Sequence, residues 1–297
     1  MSFITRIAPS PTGMFHLGTA RTAYFNWLAA RASGGKFILR IDDTDTARNS
    51  DDAVQVILDS MDWLGLDYDA IFYQSRRTDF YREAAQTLVD HDAARVLDDG
   101  AVALNIPKLG PTWHDTLALD IPITQDVRDK MDPLILMRRD GGGPTYHFAS
   151  IYDDYMMGVN WIIRGHDHQT NTPKQIAIWK AGFSGDFPQV SHVGLIFKDG
   201  KKLSKRDNAA SLLWYRDQGY QPDAVLSFLL RLGWSPADGK TPRVITRDQA
   251  VEMFLKDGKM RAASRVNYDA QLLSNIQRNY EASLKIPPDQ WVHKKNG

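Results

Sequence analysis

The sequence predicts an α/β fold: a parallel sheet split by a short α+β insertion and followed by a small helical region. Three observations predict it. Residues 3–73 read strand, helix, strand, helix, strand, a succession that calls for right-handed crossovers and a parallel sheet. Over residues 78–140, Pro and Gly break the pattern into short alternating stretches. Beyond residue 206, apolar residues recur at helical spacing. The chain divides accordingly into 1–77, 78–140, 141–206 and 207–297.

The composition bounds the function. With 24% charged and 43% hydrophobic residues, the chain of 297 is globular. Lys plus Arg and Asp plus Glu each number 36, so any face that binds nucleic acid must be local. Cys is 0, which excludes disulfides and Cys-held zinc and suits a reducing compartment. No basic-then-apolar leader, membrane-spanning apolar run or solenoid repeat is visible, and a cytoplasmic location is expected.

In order, residues 3–7 form the first strand, and Pro9, Pro11 and Gly13 make a turn that cannot be helix. Leu17, Ala20, Tyr24, Trp27 and Leu28 start an amphipathic helix that stops at Gly34-Gly35. A helix N-terminus beside His16 and Gly18 suits a phosphate. By spacing alone, the stretch is equally an ordinary strand-to-helix turn. Residues 36–41 are the second strand, ending in Asp42-Asp43-Thr44-Asp45. Ligands bind beyond the carboxyl ends of such strands, although one acid, Asp45, or else Thr46 is expected to cap the helix 47–64. Residues 71–73 form a third strand. Inside the insertion, a helix covers 80–89, and 116–123 alternates as a strand does. Gly141-Gly142-Gly143-Pro144 is the return hinge. A helix over 146–155 and a β-branched strand over 159–163 follow. The latter ends in Arg164-Gly165-His166-Asp167-His168. Thr170 or Thr172 caps the helix 173–181, and 193–197 is a strand. Helices are expected over 209–218, 222–232, 247–255 and 268–278, with a frayed end over 286–297.

Lys201-Lys202-Leu203-Ser204-Lys205-Arg206 puts four cations and a hydroxyl into six residues. A basic run is usually a solvated loop. Following a sheet strand, this one shares an edge with His16, where ammonium groups can meet nucleotide phosphates.

Taken together, these motifs resemble those of the class I aminoacyl-tRNA synthetases, and within them the glutamyl-tRNA synthetases. Phe15-His16-Leu17-Gly18-Thr19 is similar to the first class signature and Lys202-Leu203-Ser204-Lys205-Arg206 to the second. Residues 6–13, 35–45, 211–220 and 232–235 also resemble the subfamily. The resemblance implies a Rossmann-like catalytic domain, a shortened acceptor-end-binding insertion and a stem-contact-like helical domain. It implies formation of glutamyl adenylate from glutamate and ATP with Mg2+, then transfer to the 3′ end of tRNA-Glu. The catalytic residues it implies are His16, Gly18, Lys202 and Lys205. For ATP it implies His16, Gly18, Asp167, Leu195, Ile196 and Lys205. For glutamate it implies Arg6, Ala8, Ser10, Asp42, Tyr146, Ser150 and Arg164. No protein-held metal is implied.

The sequence departs from the subfamily at several positions. Asp42 stands where Glu is usual, Ser150 where Asn is frequent, and His166 where Glu is frequent. The insertion is short and has no Cys. No anticodon-binding domain is expected, and a smaller surface with zero net charge is expected to give weak or relaxed tRNA recognition; a monomer is also expected. Two alternatives stand beside this reading: a paralogue that glutamylates another acceptor, such as a modified base of tRNA-Asp, and an idle tRNA- or nucleotide-binding module.

Overall fold

The computed structural model describes residues 1–12, 14–45, 49–139, 141–203 and 211–284. The first unit runs β1 (Ile4–Ile7), α1 (Leu17–Ser33), β2 (Lys36–Ile41), α2 (Asp51–Leu64) and β3 (Ala70–Tyr73). The three strands are parallel in the order β1-β2-β3, as the strand–helix alternation predicts. α1 differs from the expected amphipathic helix. Residues 20–30 are buried all round, because the sheet covers one side and helices from the C-terminal region cover the other. A helix without a polar face has to be enclosed in this way.

α2 is capped by Ser50, whose side chain accepts from the Ala53 N–H, with Asp51 and Asp52 in the first turn. The expected caps, Asp45 and Thr46, lie upstream, and Thr46 is outside the described residues. A Ser followed by two acids complements the exposed N–H groups and the positive helix end at closer range.

The insertion contains α3 (Thr78–Asp90), β4 (Ala94–Val96), β5 (Val102–Leu104), β6 (Thr112–Asp115), β7 (Leu119–Pro122), α4 (Gln125–Asp129) and β8 (Leu134–Met137). β4-β5-β8 form an antiparallel sheet, and β6-β7 form a hairpin. The chain then returns through α5 (Tyr146–Met156), β9 (Trp161–Gly165), a 3-10 turn (His166–Asn171), α6 (Thr172–Gly182) and β10 (Gln189–Val193). β9 and β10 are parallel. β9 lies beside β1: the Asn160 N–H donates to Ile4 O at 3.1 Å, and Asn160 Oδ1 accepts from the Ile4 N–H at 2.8 Å. Asn26 of α1 bridges the same two strands, donating to Ile163 O and accepting from Thr5 Oγ1. β1 and β9 thus meet where the two halves of the parallel sheet join, and the crevice beyond such a junction is where open α/β sheets place ligands.

The single strand expected over 193–197 is two, β10 and β11 (Leu195–Lys198), separated by Gly194. β12 (Lys201–Lys202) hairpins onto β11. The C-terminal region contains α7 (Leu212–Asp217), α8 (Pro222–Arg231), β13 (Trp234–Pro236), α9 (Arg247–Phe254), β14 (Gly258–Met260), β15 (Arg265–Asn267) and α10 (Ala270–Leu284). Its three short strands are not in the helical pattern read from the sequence. Three residues cannot display a period, and β15 exists because it pairs in parallel with β11. Phe228, Leu229 and Phe254 share one core with Tyr24, Phe25 and Leu28, so the region is packed onto α1 rather than separately cored. No helix among the described residues is long and apolar enough to cross a membrane.

Candidate active site

A cavity of about 320 Å³ opens beyond the C-terminal ends of β1 and β9. The segment after β1 supplies Ala8 and Ser10, and the start of α1 supplies His16 and Gly18. His16 is the N-cap of α1: its Nδ1 accepts from the Thr19 N–H at 3.1 Å. Phe15 and Leu17 are buried on either side, so alternation turns His16 outward. A Cβ at Gly18 would stand 3.2 Å from His16 Nδ1 and crowd the imidazole, so glycine leaves His16 room at the helix start.

The opposite wall comes from Tyr146 and Ser150 of α5, Arg164 of β9, and Asp167 and His168 of the 3-10 turn. Leu195, Ile196, Lys202 and Leu203 close the far side. Lys202 Nζ donates to Asp167 Oδ2 at 3.0 Å. Burial opposes ionisation of Asp167, but the Lys202 bond holds its carboxyl below the ordinary range. The chain leaves the wall at Leu203 and returns beside His16: Ser211 pairs with His16 in an isolated antiparallel bridge, and the Leu212 N–H donates to Phe15 O at 3.1 Å. Lys205 falls between these two anchors and lies outside the described residues.

The cationic side chains are held in two different ways. Arg6 gives Nε and Nη2 to the two oxygens of Asp154, at 2.9 and 3.1 Å. Arg40, fully buried, gives Nη1 to the same carboxylate at 2.7 Å and Nε to Asp42 at 2.6 Å. Burial works against a charged Asp154, but Arg6 and Arg40 together hold its carboxyl below the ordinary range. Arg164 differs: its three bonds go to His192 Nε2, Gln175 Oε1 and Thr172 Oγ1, none of them a carboxylate. Burial accordingly lowers the pKa of Arg164. His168 is also held neutral. Burial, with Arg164 nearby, lowers its pKa to about 4, and its Nδ1 meets the Tyr146 hydroxyl at 3.3 Å.

The cavity therefore gathers every sequence-predicted site residue among those described except Asp42. Asp42 is 6% exposed, is paired with Arg40 and is not in the cavity wall. Burial pushes its carboxyl up to about 6 against the pull of Arg40. One methylene shorter than Glu, it closes onto the guanidinium of Arg40, two residues back near the end of β2. His166 heads the 3-10 turn and also lies outside the wall.

Sequence reasoning missed Arg21, Arg40, Asp154 and His192. Arg21 lines the cavity and donates to Leu232 O at 2.8 Å; burial lowers its pKa to about 10. Its signal was present, because position 21 sits one turn above Gly18 on the same helix face. Arg40 was signalled too, as a lone charge in a strand otherwise apolar and buried from Phe37 onward. Among the described residues, no group of three or more His, Asp or Glu side chains is placed to hold a metal.

Comparison with known proteins agrees with this geometry. The family described as tRNA synthetases class I (E and Q), catalytic domain, matches residues 2–105 and 98–271. The chain is 41% identical over 310 residues to a glutamate–tRNA ligase 1 of Alkalilimnicola ehrlichii, covering 92% of this chain and 65% of that protein. It is 40% identical over 322 residues to the glutamate–tRNA ligase of Nitrosomonas eutropha, covering 96% and 67%. The crystal structure of a glutamate tRNA ligase from Elizabethkingia meningosepticum, in complex with its amino acid, superposes with a TM-score of 0.82 at 25% identity, covering 95% of this chain and 70% of that one. The chain thus spans about two thirds of the length of the curated relatives it matches. It belongs to the class I tRNA synthetases (E and Q), matching their catalytic domain.

Proposed function

We propose that this chain activates glutamate with ATP and transfers it to the 3′ end of a tRNA, tRNA-Glu by the resemblance. One observation carries the reading: a single cavity at the β1–β9 junction brings His16, Gly18 and Lys202 together with Arg6, Tyr146 and Arg164. A carboxylate substrate fits a wall with cationic donors, and a triphosphate fits a helix N-terminus facing a lysine hairpin.

The chemistry asks mainly for positioning. The α-carboxylate of glutamate, already ionised, attacks the α-phosphorus of ATP; a new P–O bond forms and the bond to the leaving pyrophosphate breaks. His16 and the N–H groups at the start of α1 would stabilise charge on the reacting phosphate. Lys202, with Lys205, would hold pyrophosphate as it leaves. Mg2+ bound to ATP would supply further phosphate neutralisation. A ribose hydroxyl of the terminal adenosine then attacks the adenylate carbonyl and AMP departs. Arg6 and Arg164 would select the side-chain carboxylate. Asp42, held by Arg40, would reach the substrate ammonium only through water. Ala8, Ser10 and Ser150 would line the glutamate pocket; Asp167, Leu195 and Ile196 would line the ATP side. A monomer with relaxed tRNA recognition, working in the cytoplasm, completes the proposal.

Transfer of labelled glutamate to tRNA-Glu tests it. Label lost when the terminal diol of the tRNA is first oxidised with periodate supports charging of the 3′ adenosine. Label that survives this treatment contradicts it and points to a base as acceptor.

A further inference from the structure

Arg164 is oriented by a chain of bonds that begins in the insertion. Asp115, at the end of β6, is fully buried. Its Oδ1 accepts the N–H groups of Leu117 and Ala118 at 2.8 and 3.1 Å. Its Oδ2 meets His192 Nδ1 at 2.6 Å. His192, on β10, is 3% exposed, and its Nε2 accepts from Arg164 Nε at 2.9 Å. The Thr172 hydroxyl stands 3.4 Å from the same Nε2. A carboxylate on Nδ1 requires a proton there, and a guanidinium on Nε2 requires a lone pair there. The two neighbours therefore specify one neutral tautomer.

The consequence lies at Arg164. A guanidinium has five N–H donors. Three are used here, on three neutral acceptors. One N–H on each terminal nitrogen remains, facing the cavity side where Tyr146 stands, and the charge has no contacting carboxylate among the described residues. The Tyr146 hydroxyl of the cavity wall is also within reach.

We propose that Asp115, acting through His192, is a positioning residue for the amino-acid pocket: it fixes the imidazole so that Arg164 stays oriented and uncompensated, ready for a carboxylate and mismatched to a carboxamide. The inference rests on the glutamate pocket proposed above. It gives the insertion a part in substrate choice that does not depend on RNA. A carboxamide that turned its NH2 toward Arg164 would set donor against donor, and the fixed guanidinium could not swing away to relieve it.

The test uses the full chain in glutamate-dependent ATP–pyrophosphate exchange with tRNA-Glu present, measuring KM for glutamate and for ATP, kcat, and the glutamate/glutamine preference. In Asp115→Asn, the side-chain oxygen keeps Leu117 and Ala118 while the NH2 faces His192 Nδ1. The proton then moves to Nε2 and confronts Arg164 Nε. The expected result for Asp115→Asn and His192→Leu is a rise of about tenfold or more in KM for glutamate, the scale of a hydrogen bond to a charged group, together with a reduced glutamate/glutamine preference. KM for ATP should stay within about twofold, because no link of the chain touches the phosphate side. His192→Gln keeps a neutral acceptor and should recover part of the preference. If His192→Leu does not fold, Asp115→Asn and His192→Gln carry the test, since both preserve size. Unchanged KM for glutamate and unchanged preference in folded variants overturn the relay. So does a fall in kcat or melting temperature with the preference intact, which is what a merely structural link would give. Arg164→Gln separates the two levels. If it abolishes the preference while Asp115→Asn does not, only the relay fails. If wild type shows no preference for glutamate, the pocket reading fails and takes the relay with it.

Discussion

Arg6 meets Asp154 edge-on, with Nε and Nη2 on the two carboxylate oxygens at 2.9 and 3.1 Å and both side chains buried. Arg164, which lines the same cavity, has no such carboxylate partner among the described residues. The two guanidiniums are therefore not equivalent. Arg6 is committed to Asp154 by two hydrogen bonds, whereas Arg164 bonds neutral acceptors, which suits the carboxylate-binding role proposed for it.

Substitution should separate these roles. Arg164→Gln is expected to raise KM for glutamate by roughly two orders of magnitude, in the range for losing one partner of a desolvated charge pair, with a modest change in melting temperature. Arg6→Gln strands half of Asp154 and should lower both glutamate affinity and stability. Steady-state kinetics beside thermal melts check this; equal melting losses in the two variants would contradict it.

Asp154→Ala removes the shared acceptor of Arg6 and Arg40 and leaves two buried cations, of which only Arg40 keeps a carboxylate, Asp42. Removing one partner of a buried ionic group costs about 3–5 kcal/mol. Urea unfolding should show a loss of that order, and a loss of less than about 1 kcal/mol, the scale of exposed pairs, would refute the network.

Burial lowers the pKa of both His147 and His168 from 6.5 to about 4. A depressed folded-state value means that the native chain binds a proton less readily than the unfolded chain. The stability from each is fully present above pH 6.5 and is lost as pH falls toward 4. Melting temperature should decline across that window, and the decline should flatten in His147→Gln and His168→Gln. A profile that rises on acidification would be the wrong sign.

The Lys202–Asp167 pair is about half exposed on both sides, 55% and 45%. Such pairs contribute about 0–1 kcal/mol and weaken with salt, so a triphosphate can take the lysine at small cost. Lys202→Ala should raise KM for ATP, by less at high ionic strength, with glutamate affinity unchanged. Lys205→Ala should depress pyrophosphate exchange much more than glutamate binding measured by calorimetry.

Much of this site was legible before folding. Pro9, Pro11 and Gly13 mark the turn ahead of His16, and Lys202 follows a strand, so these two parts of the cavity lining were expected from the sequence, while residues 204–206 of the basic run lie outside the described residues. Arg6 and Arg164 followed from the resemblance. The supporting network was not legible. Arg6 and Asp154 are 148 residues apart and Arg40 and Asp154 are 114 apart, and no local period encodes a contact across strands and helices. The all-round burial of α1 escaped for a similar reason, since its second partner surface arrives some 200 residues later with α8 and α9. Ser50 as the cap is readable in principle, as a Ser ahead of two acids, but a helix expected from residue 47 points to Asp45 or Thr46 instead. Two acids of the 42–45 run serve other contacts: Asp42 holds Arg40, and Asp43 accepts from the Ser75 N–H and hydroxyl.

The most direct measurement is ATP–pyrophosphate exchange by the wild-type chain with glutamate, run with and without tRNA-Glu and with glutamine as the competing amino acid. The expected result is exchange that depends on glutamate and greatly exceeds that with glutamine. No exchange with glutamate under either condition, or faster exchange with glutamine, would contradict glutamate activation at the β1–β9 cavity.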